Sequence, residues 1–213
     1  KETGALIAET PKELITTTDV VIIMVSDDAA IEQIFNGPEG LFSAEISGKI
    51  IINMSTVSPA ISKEMDTLCK EKGAQYLDAP VSGSVKQAET GQLVIMVGGD
   101  EKELNRARPY LSKLGKKIKH LGSNGSGLAA KIAINYFLSI IYGGLAETVL
   151  LSDKLGLSRN DMLEIINESA CGNGATKVKT PLLINDSYPA AFALDLMLKD
   201  ILLAQKAGAD FTI

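Results

Sequence analysis

Apolar runs separated by amphipathic stretches and turn residues recur through the first 120 positions, and helical patterns alone follow them. The runs at 19–25, 49–54, 75–78, 92–97 and 117–121 predict five strands. The first two are continuous and rich in β-branched residues, the mark of strands buried on both faces. A short extra strand is expected at Leu6 and Ile7, after a helix tail over 1–5. Between the strands lie helix signals. Thr10, Pro11 and Glu13 open a helix to about 17, with Thr10 as N-cap and Pro11 in the first turn. Ser26, Asp27 and Asp28 cap a second through 35, and Ser58 with Pro59 starts a third that Gly73 stops. Asp100 caps a fourth. Strands alternating with helices at this spacing predict a doubly wound, mostly parallel α/β sheet. From Gly125 the pattern predicts a long helix to about 153, a helix over 158–167, a glycine-rich loop CGNG at 171–174 and a last helix over 190–207. The expected division is an α/β domain over 1–123 and an all-helical domain over 124–213.

Composition narrows the function classes. The chain has 213 residues and a net charge of −5, which argues against a nucleic-acid surface. The densest basic cluster, 113–119, spans a helix end and a strand, where solvation explains it. Cys69 and Cys171 form no CxxC pair, so neither a disulfide framework nor a zinc site has support, and reduced thiols in a cytoplasmic protein are expected. The single histidine, His120, lies in the alternating run KIKHL and reads as a half-exposed strand position. No signal peptide is visible. The apolar run after Lys131 carries Asn135, Ser139, Gly143 and Gly144 and reads as a core or subunit-interface helix rather than a membrane span.

The chemistry gathers at GSGLAAKIAIN, 125–135. Lys131 opens a stretch with no further charge until Glu147. Lys131 and Asn135 are four apart and share a helix face. A partly desolvated ammonium near a helix start should lose its proton more readily and exchange it near neutrality, the profile of a catalytic acid or base. An isolated lysine of this kind also fits a side chain snorkelling to water. Its position just past the domain joint, where clefts form, favours the first reading.

Other stretches end strands where ligands bind in open α/β sheets. DAPVSGS at 78–84 offers hydroxyls and backbone N–H groups around Ser82, Gly83 and Ser84 that suit a small carboxylate. NMST at 53–56 and the pair Val25 and Ser26 end two further strands on the same expected edge. Lys199 and Asp200 sit in an apolar helix expected to be mostly buried, so Lys199 is expected to face a cleft, although Asp195 and Lys199 also have the spacing of a surface ion pair. No GxGxxG occurs, and both chain ends read as cut.

Together, DAPVSG, GSGxxxKxxxN and LKD (198–200), with NMST as a fourth motif, resemble the β-hydroxyacid dehydrogenase family over essentially the whole chain. The resemblance implies a Rossmann-type dinucleotide-binding domain, here without its first βαβ and glycine-rich turn, and an incomplete helical domain of the 6-phosphogluconate dehydrogenase type, joined by the long helix. It implies Lys131 as general acid/base and Asn135 as the residue orienting substrate and lysine. Ser82 and Gly83, with Ser84 in the same turn, would bind the substrate carboxylate. Val25, Ser26 and Thr56 would line the cofactor, Lys199 would lie beside its nicotinamide end, and Asp200 would fix that helix.

The implied cofactor is NADP or NAD, with NADP favoured, and the residue that chooses between them would precede Lys1. The implied reaction is hydride transfer between that cofactor and a short semialdehyde or 2-oxo acid: glyoxylate, succinic semialdehyde, methylmalonate semialdehyde or tartronate semialdehyde. Ser84, where the family usually has a second glycine, and QAETGQ at 87–92 look like the glyoxylate/succinic semialdehyde branch. Ile134 stands where 6-phosphogluconate dehydrogenases carry a histidine, and Lys131 itself argues against imine reductases, which replace it. A homo-oligomer, dimer or tetramer, is expected, with no nucleic-acid or membrane partner. The 213 residues alone are expected to bind cofactor poorly and to be inactive. The rival is a non-catalytic dehydrogenase-like module for oligomerisation or recognition.

Overall fold

The computed structural model describes residues 4–189 and 192–209. Its backbone divides into two compact units, Lys1–Ile132 and Ala133–Ile213, so the division falls within the long helix rather than before it.

The first unit is a six-stranded sheet with helices on its faces. Helix α1 (Pro11–Thr17) starts as its sequence dictates, with Thr10 Oγ1 accepting the Glu13 N–H. Strand β1 (Val20–Ile23), α2 (Asp28–Asn36), β2 (Ile50–Asn53), α3 (Pro59–Glu71) and β3 (Gln75–Asp78) follow. A short 3-10 turn, Leu41–Ser43, lies after α2. Asp27 and Ser58 cap α2 and α3. Strands β1, β2 and β3 are parallel and in register, with Ile23, Asn53 and Asp78 side by side. Their carboxyl ends therefore share one edge, as expected.

After Asp78 the chain departs from the parallel plan. Strand β4 (Val81–Ser82), α4 (Val85–Glu89) and β5 (Leu93–Gly98) form a hairpin, and β5 runs antiparallel to both β3 and β4. The pairs Asp78–Gly98, Val81–Ile95 and Ser82–Val94 keep one register, so β4 continues β3 past a break at Ala79 and Pro80. The break carries a bond from Met96 N–H to Pro80 O. The expected loop at 78–84 thus holds strand residues at Asp78, Val81 and Ser82. Helix α5 (Glu101–Leu114) then leads to β6 (Gly115–Gly122), parallel to β5. Lysines 116, 117 and 119 stand exposed along β6, a charge pattern that discourages further pairing of an edge strand. His120 is half-buried in β6, with its Nε2 2.8 Å from Gly99 O.

The core has two layers. Val21, Ile23, Ile31, Phe35, Ile51, Met65 and Tyr76 pack on one face, and Ile50, Ile52, Leu77, Ile95, Val97, Leu104 and Leu111 on the other. Strand β2 is buried on both faces, as its sequence predicts. Strand β1 is not: Ile22 on this edge strand is 41% exposed, and Met24, just past its end, 59%. Leu6 and Ile7 are exposed and form no strand, since nothing pairs with them.

The second unit contains most of α6 (Ser126–Lys154), with α7 (Arg159–Glu168), α8 (Gly174–Ile184) and α9 (Leu194–Ala209). Its small core is Leu145, Val149, Leu163 and Ile166. Helix α8 is absent from the sequence-based expectation. Helix α9 was expected over 190–207, of which 190 and 191 lie outside the described residues, as do 1–3 of the expected helix tail and 211–213 at the chain end. Helix α9 is not mostly buried: Leu194, Leu198 and Leu202 are exposed and Asp200 is its buried residue. Helix α6 is also largely exposed, with Tyr136, Phe137, Ile140, Leu150 and Leu151 open. It is long and apolar enough by composition alone to cross a membrane.

Candidate functional site

A chain of buried polar groups ties the carboxyl ends of β1, β2 and β3 together. Asn53 Nδ2 donates to Tyr76 Oη (2.9 Å), and Asn53 Oδ1 accepts the Ser55 N–H (3.0 Å). Ser55 Oγ in turn accepts the Val25 N–H at 2.8 Å. Asn53 and Ser55 are buried, so each bond replaces a hydration that folding removes. From 50 to 58 every residue is buried except Thr56, which is half-buried at the strand end. Val25 is half-buried beside exposed Met24 and Ser26, and the Ser26 hydroxyl donates to Asp27 Oδ2. These three sequence-predicted residues therefore come together on one edge.

At the end of β3, Asp78 is fully buried and its carboxylate faces the start of α6. Oδ1 accepts the Gly125 N–H at 2.8 Å and Oδ2 the Leu128 N–H at 2.9 Å. Burial raises its pKa, and the N–H groups of Gly125, Leu128 and Gly127 oppose that rise. Asn124, also buried, donates from Nδ2 to Tyr76 O (3.1 Å) and accepts the Asp78 N–H (3.3 Å). The glycines of GSG have specific reasons. Gly125 has φ +93°, and a Cβ on Gly127 would run into Met96 O and lie 2.9 Å from Asp78 Oδ2. Lys131, half-buried, follows Leu128 by one turn.

Farther along the β3–β4 path, Ser82 is half-buried and Gly83 is exposed with φ +144°. A Cβ on Gly83 would lie 2.8 Å from Leu93 Cδ2. Both donors of Ser84, its N–H and its hydroxyl, point at Gln87 Oε1 and open α4. Of the three residues expected around a carboxylate, Ser84 is thus engaged within its own helix start.

In the second unit, Asn135 is buried and its Nδ2 donates to Asp200 Oδ2 at 2.6 Å. Lys199 Nζ lies 3.1 Å from Asp200 Oδ1. Asp200 therefore holds a carboxamide that the sequence alone assigned to substrate orientation. Lys199 also lines an open groove of about 330 Å³ with Asp195, Leu198, Leu202, Leu203 and Lys206. Asn53, Ser55, Asp78 and Asn124 were not picked out individually by the sequence. The readable signal was weak: polar residues ending apolar strands.

The edge with Val25, Ser26 and Thr56 holds the residues expected to line the cofactor. It offers hydroxyls and apolar side chains, and the nearby carboxylates of Asp27 and Asp28 accept the N–H groups of Ala30 and Ser58. The sequence contains no glycine-rich GxGxxG turn for the pyrophosphate.

Two family profiles match the chain. Residues 1–122 match the NAD binding domain of 6-phosphogluconate dehydrogenase, and residues 125–213 match the NAD-binding domain of NADP-dependent 3-hydroxyisobutyrate dehydrogenase. A 2-(hydroxymethyl)glutarate dehydrogenase of Eubacterium barkeri is 38% identical over 97% of this chain and 69% of its own length. A chloroplastic glyoxylate/succinic semialdehyde reductase of Arabidopsis thaliana is 35% identical over 94% of this chain, which spans 56% of that protein. The solved 3-hydroxyisobutyrate dehydrogenase of Mycobacterium tuberculosis with L-serine superposes with a TM-score of 0.86 at 33% identity, covering 97% of this chain and 72% of that one. With residues 1–122 and 125–213 matched by the two profiles and the fold shared, the chain belongs to the β-hydroxyacid dehydrogenase family of NAD- or NADP-dependent oxidoreductases.

Proposed function

We propose that the protein reduces a short semialdehyde or 2-oxo acid to the hydroxy acid, and runs the reverse oxidation, with Lys131 as general acid/base. The observation that carries this reading is the seating of the start of α6 on the carboxyl end of β3, which places half-buried Lys131 one turn past Leu128 on a fixed helix. In reduction the Lys131 ammonium gives a proton to the carbonyl oxygen as the alcohol forms, and the amine recovers its proton from water. In oxidation the amine removes the hydroxyl proton. When bound, the nicotinamide supplies or accepts the hydride. Asn135 shares the Lys131 helix face and is held by Asp200, which supports a role in orienting the substrate oxygen. Ser82 and Gly83 would receive the carboxylate, and Val25, Ser26 and Thr56 would line the cofactor.

A relative named for glyoxylate and succinic semialdehyde, together with QAETGQ and Ser84, supports this substrate class. A screen of glyoxylate, succinic semialdehyde, methylmalonate semialdehyde and tartronate semialdehyde with NADH and NADPH, on the natural full-length protein, tests the reading. Turnover of at least one pair is expected. Cofactor fluorescence that changes on binding without any turnover points instead to the non-catalytic module, and no binding at all removes both the cofactor and the reaction.

A further inference from the structure

We propose that Asp78 is a positioning residue for the reaction: its buried carboxylate holds the start of α6 and thereby sets where Lys131 stands. The proposal rests on the reading of Lys131 as the acid/base. Helices α1, α2, α3, α5, α7 and α8 are each capped by the residue just before them, Thr10, Asp27, Ser58, Asp100, Ser158 and Asn173. Helix α6 is different. The N–H of Gly125, just before the helix, and that of Leu128, in its first turn, go to a carboxylate 47 and 50 residues upstream, at the end of β3, while the Ser126 N–H goes to Ser123 O. A side chain just before α6 would have capped it at less desolvation cost, because Asp78 is fully buried. The remote cap instead fixes the helix to the sheet edge where Asn53, Ser55 and Thr56 lie.

The surroundings leave little freedom. Gly98 and Gly127 both face Asp78 so closely that a Cβ on either would collide with it or with the adjoining backbone, and Asn124 ties the same turn to Tyr76 O. Lys131 is three residues past Leu128, about 4.5 Å along the helix axis. A shift of the helix start therefore passes to Lys131 with nothing between to absorb it. A misplacement near 1 Å lowers rate on the order of 100-fold when reacting groups must be aligned.

Asp78→Asn tests this, because an amide offers one acceptor and turns its NH2 toward a helix N–H. The assay is steady-state kinetics of the natural full-length protein on the semialdehyde that turns over fastest in the screen. The expected result is a kcat at least about tenfold lower, with cofactor KM within about twofold. In a Lys131→Ala background Asp78→Asn should lower kcat no further, since the residue it positions is gone. A role in stability alone would cost the same factor in both backgrounds, and that outcome overturns the proposal, as does a kcat within about twofold of wild type. If Asp78→Asn does not fold, Asn124→Ala, which removes the second tether, carries the same cycle. Full turnover by Lys131→Ala alone sinks the acid/base reading instead, a result distinct from additive losses at Asp78.

Discussion

Replacing Asn135 by Leu removes the donor that faces a buried carboxylate, and the structure sets the cost. Asn135 is 4% and Asp200 2% exposed, and their bond is 2.6 Å, short as expected where one partner is charged. Such bonds contribute about 1.5–3 kcal/mol, and a buried charge left without its donor costs more. Lys199 Nζ, 3.1 Å from the other Asp200 oxygen, keeps part of the compensation, so the upper end is tempered. The expected loss is about 2–3 kcal/mol, or about 4–12 °C in Tm for a chain of this size. Circular dichroism at 222 nm through thermal and urea unfolding measures it. Asn135→Leu combined with Asp200→Leu should recover much of the loss, because replacing both partners removes the stranded charge. A single-variant cost below about 0.5 kcal/mol, or a double variant as damaged as the sum of its parts, would refute the reasoning.

Two further outcomes follow from burial. Cys171 is exposed and Cys69 fully buried, where desolvation first and Asp66 second push its thiol up to about 12. A thiol reagent at pH 8 should therefore titrate one cysteine in the native chain and two after unfolding, and rapid reaction of both in the native state contradicts the burial. Because the folded value lies above the unfolded one, the contribution of Cys69 is fully present below the ordinary thiol range and is lost as pH rises from there towards about 12. Gly127→Ala should cost about 1–3 kcal/mol by overpacking against Met96 O and Asp78. Unchanged urea stability in that variant would show that the start of α6 is not as tightly seated as its contacts imply.

Element positions in the first unit were legible because caps and apolar runs are local signals. Thr10, Asp27, Ser58 and Asp100 each mark a helix start within a residue of its place. Strand direction was not legible: LVIMV reads alike in a parallel or an antiparallel neighbour, and only the β4–β5 pairing reveals the hairpin. Helix α8 was hidden by Pro181 and by the glycines of CGNG, although Asn173 and Thr176 form a capping box that was there to be read. Lys131, Asn135, Ser82 and Gly83 stood out through composition and spacing. Asp78 as a remote cap did not, since no pattern in the chain announces a bond to a residue 47 positions on. The burial expected of α9 failed because an apolar composition says what a helix can cover, not what covers it.

The most direct test of the central claim is kcat for Lys131→Ala in the natural full-length protein, with cofactor affinity measured beside it. General acid/base help contributes roughly 10²- to 10⁴-fold, so kcat should fall by at least about two orders of magnitude while cofactor affinity barely changes. Near-normal turnover in that variant would contradict the account.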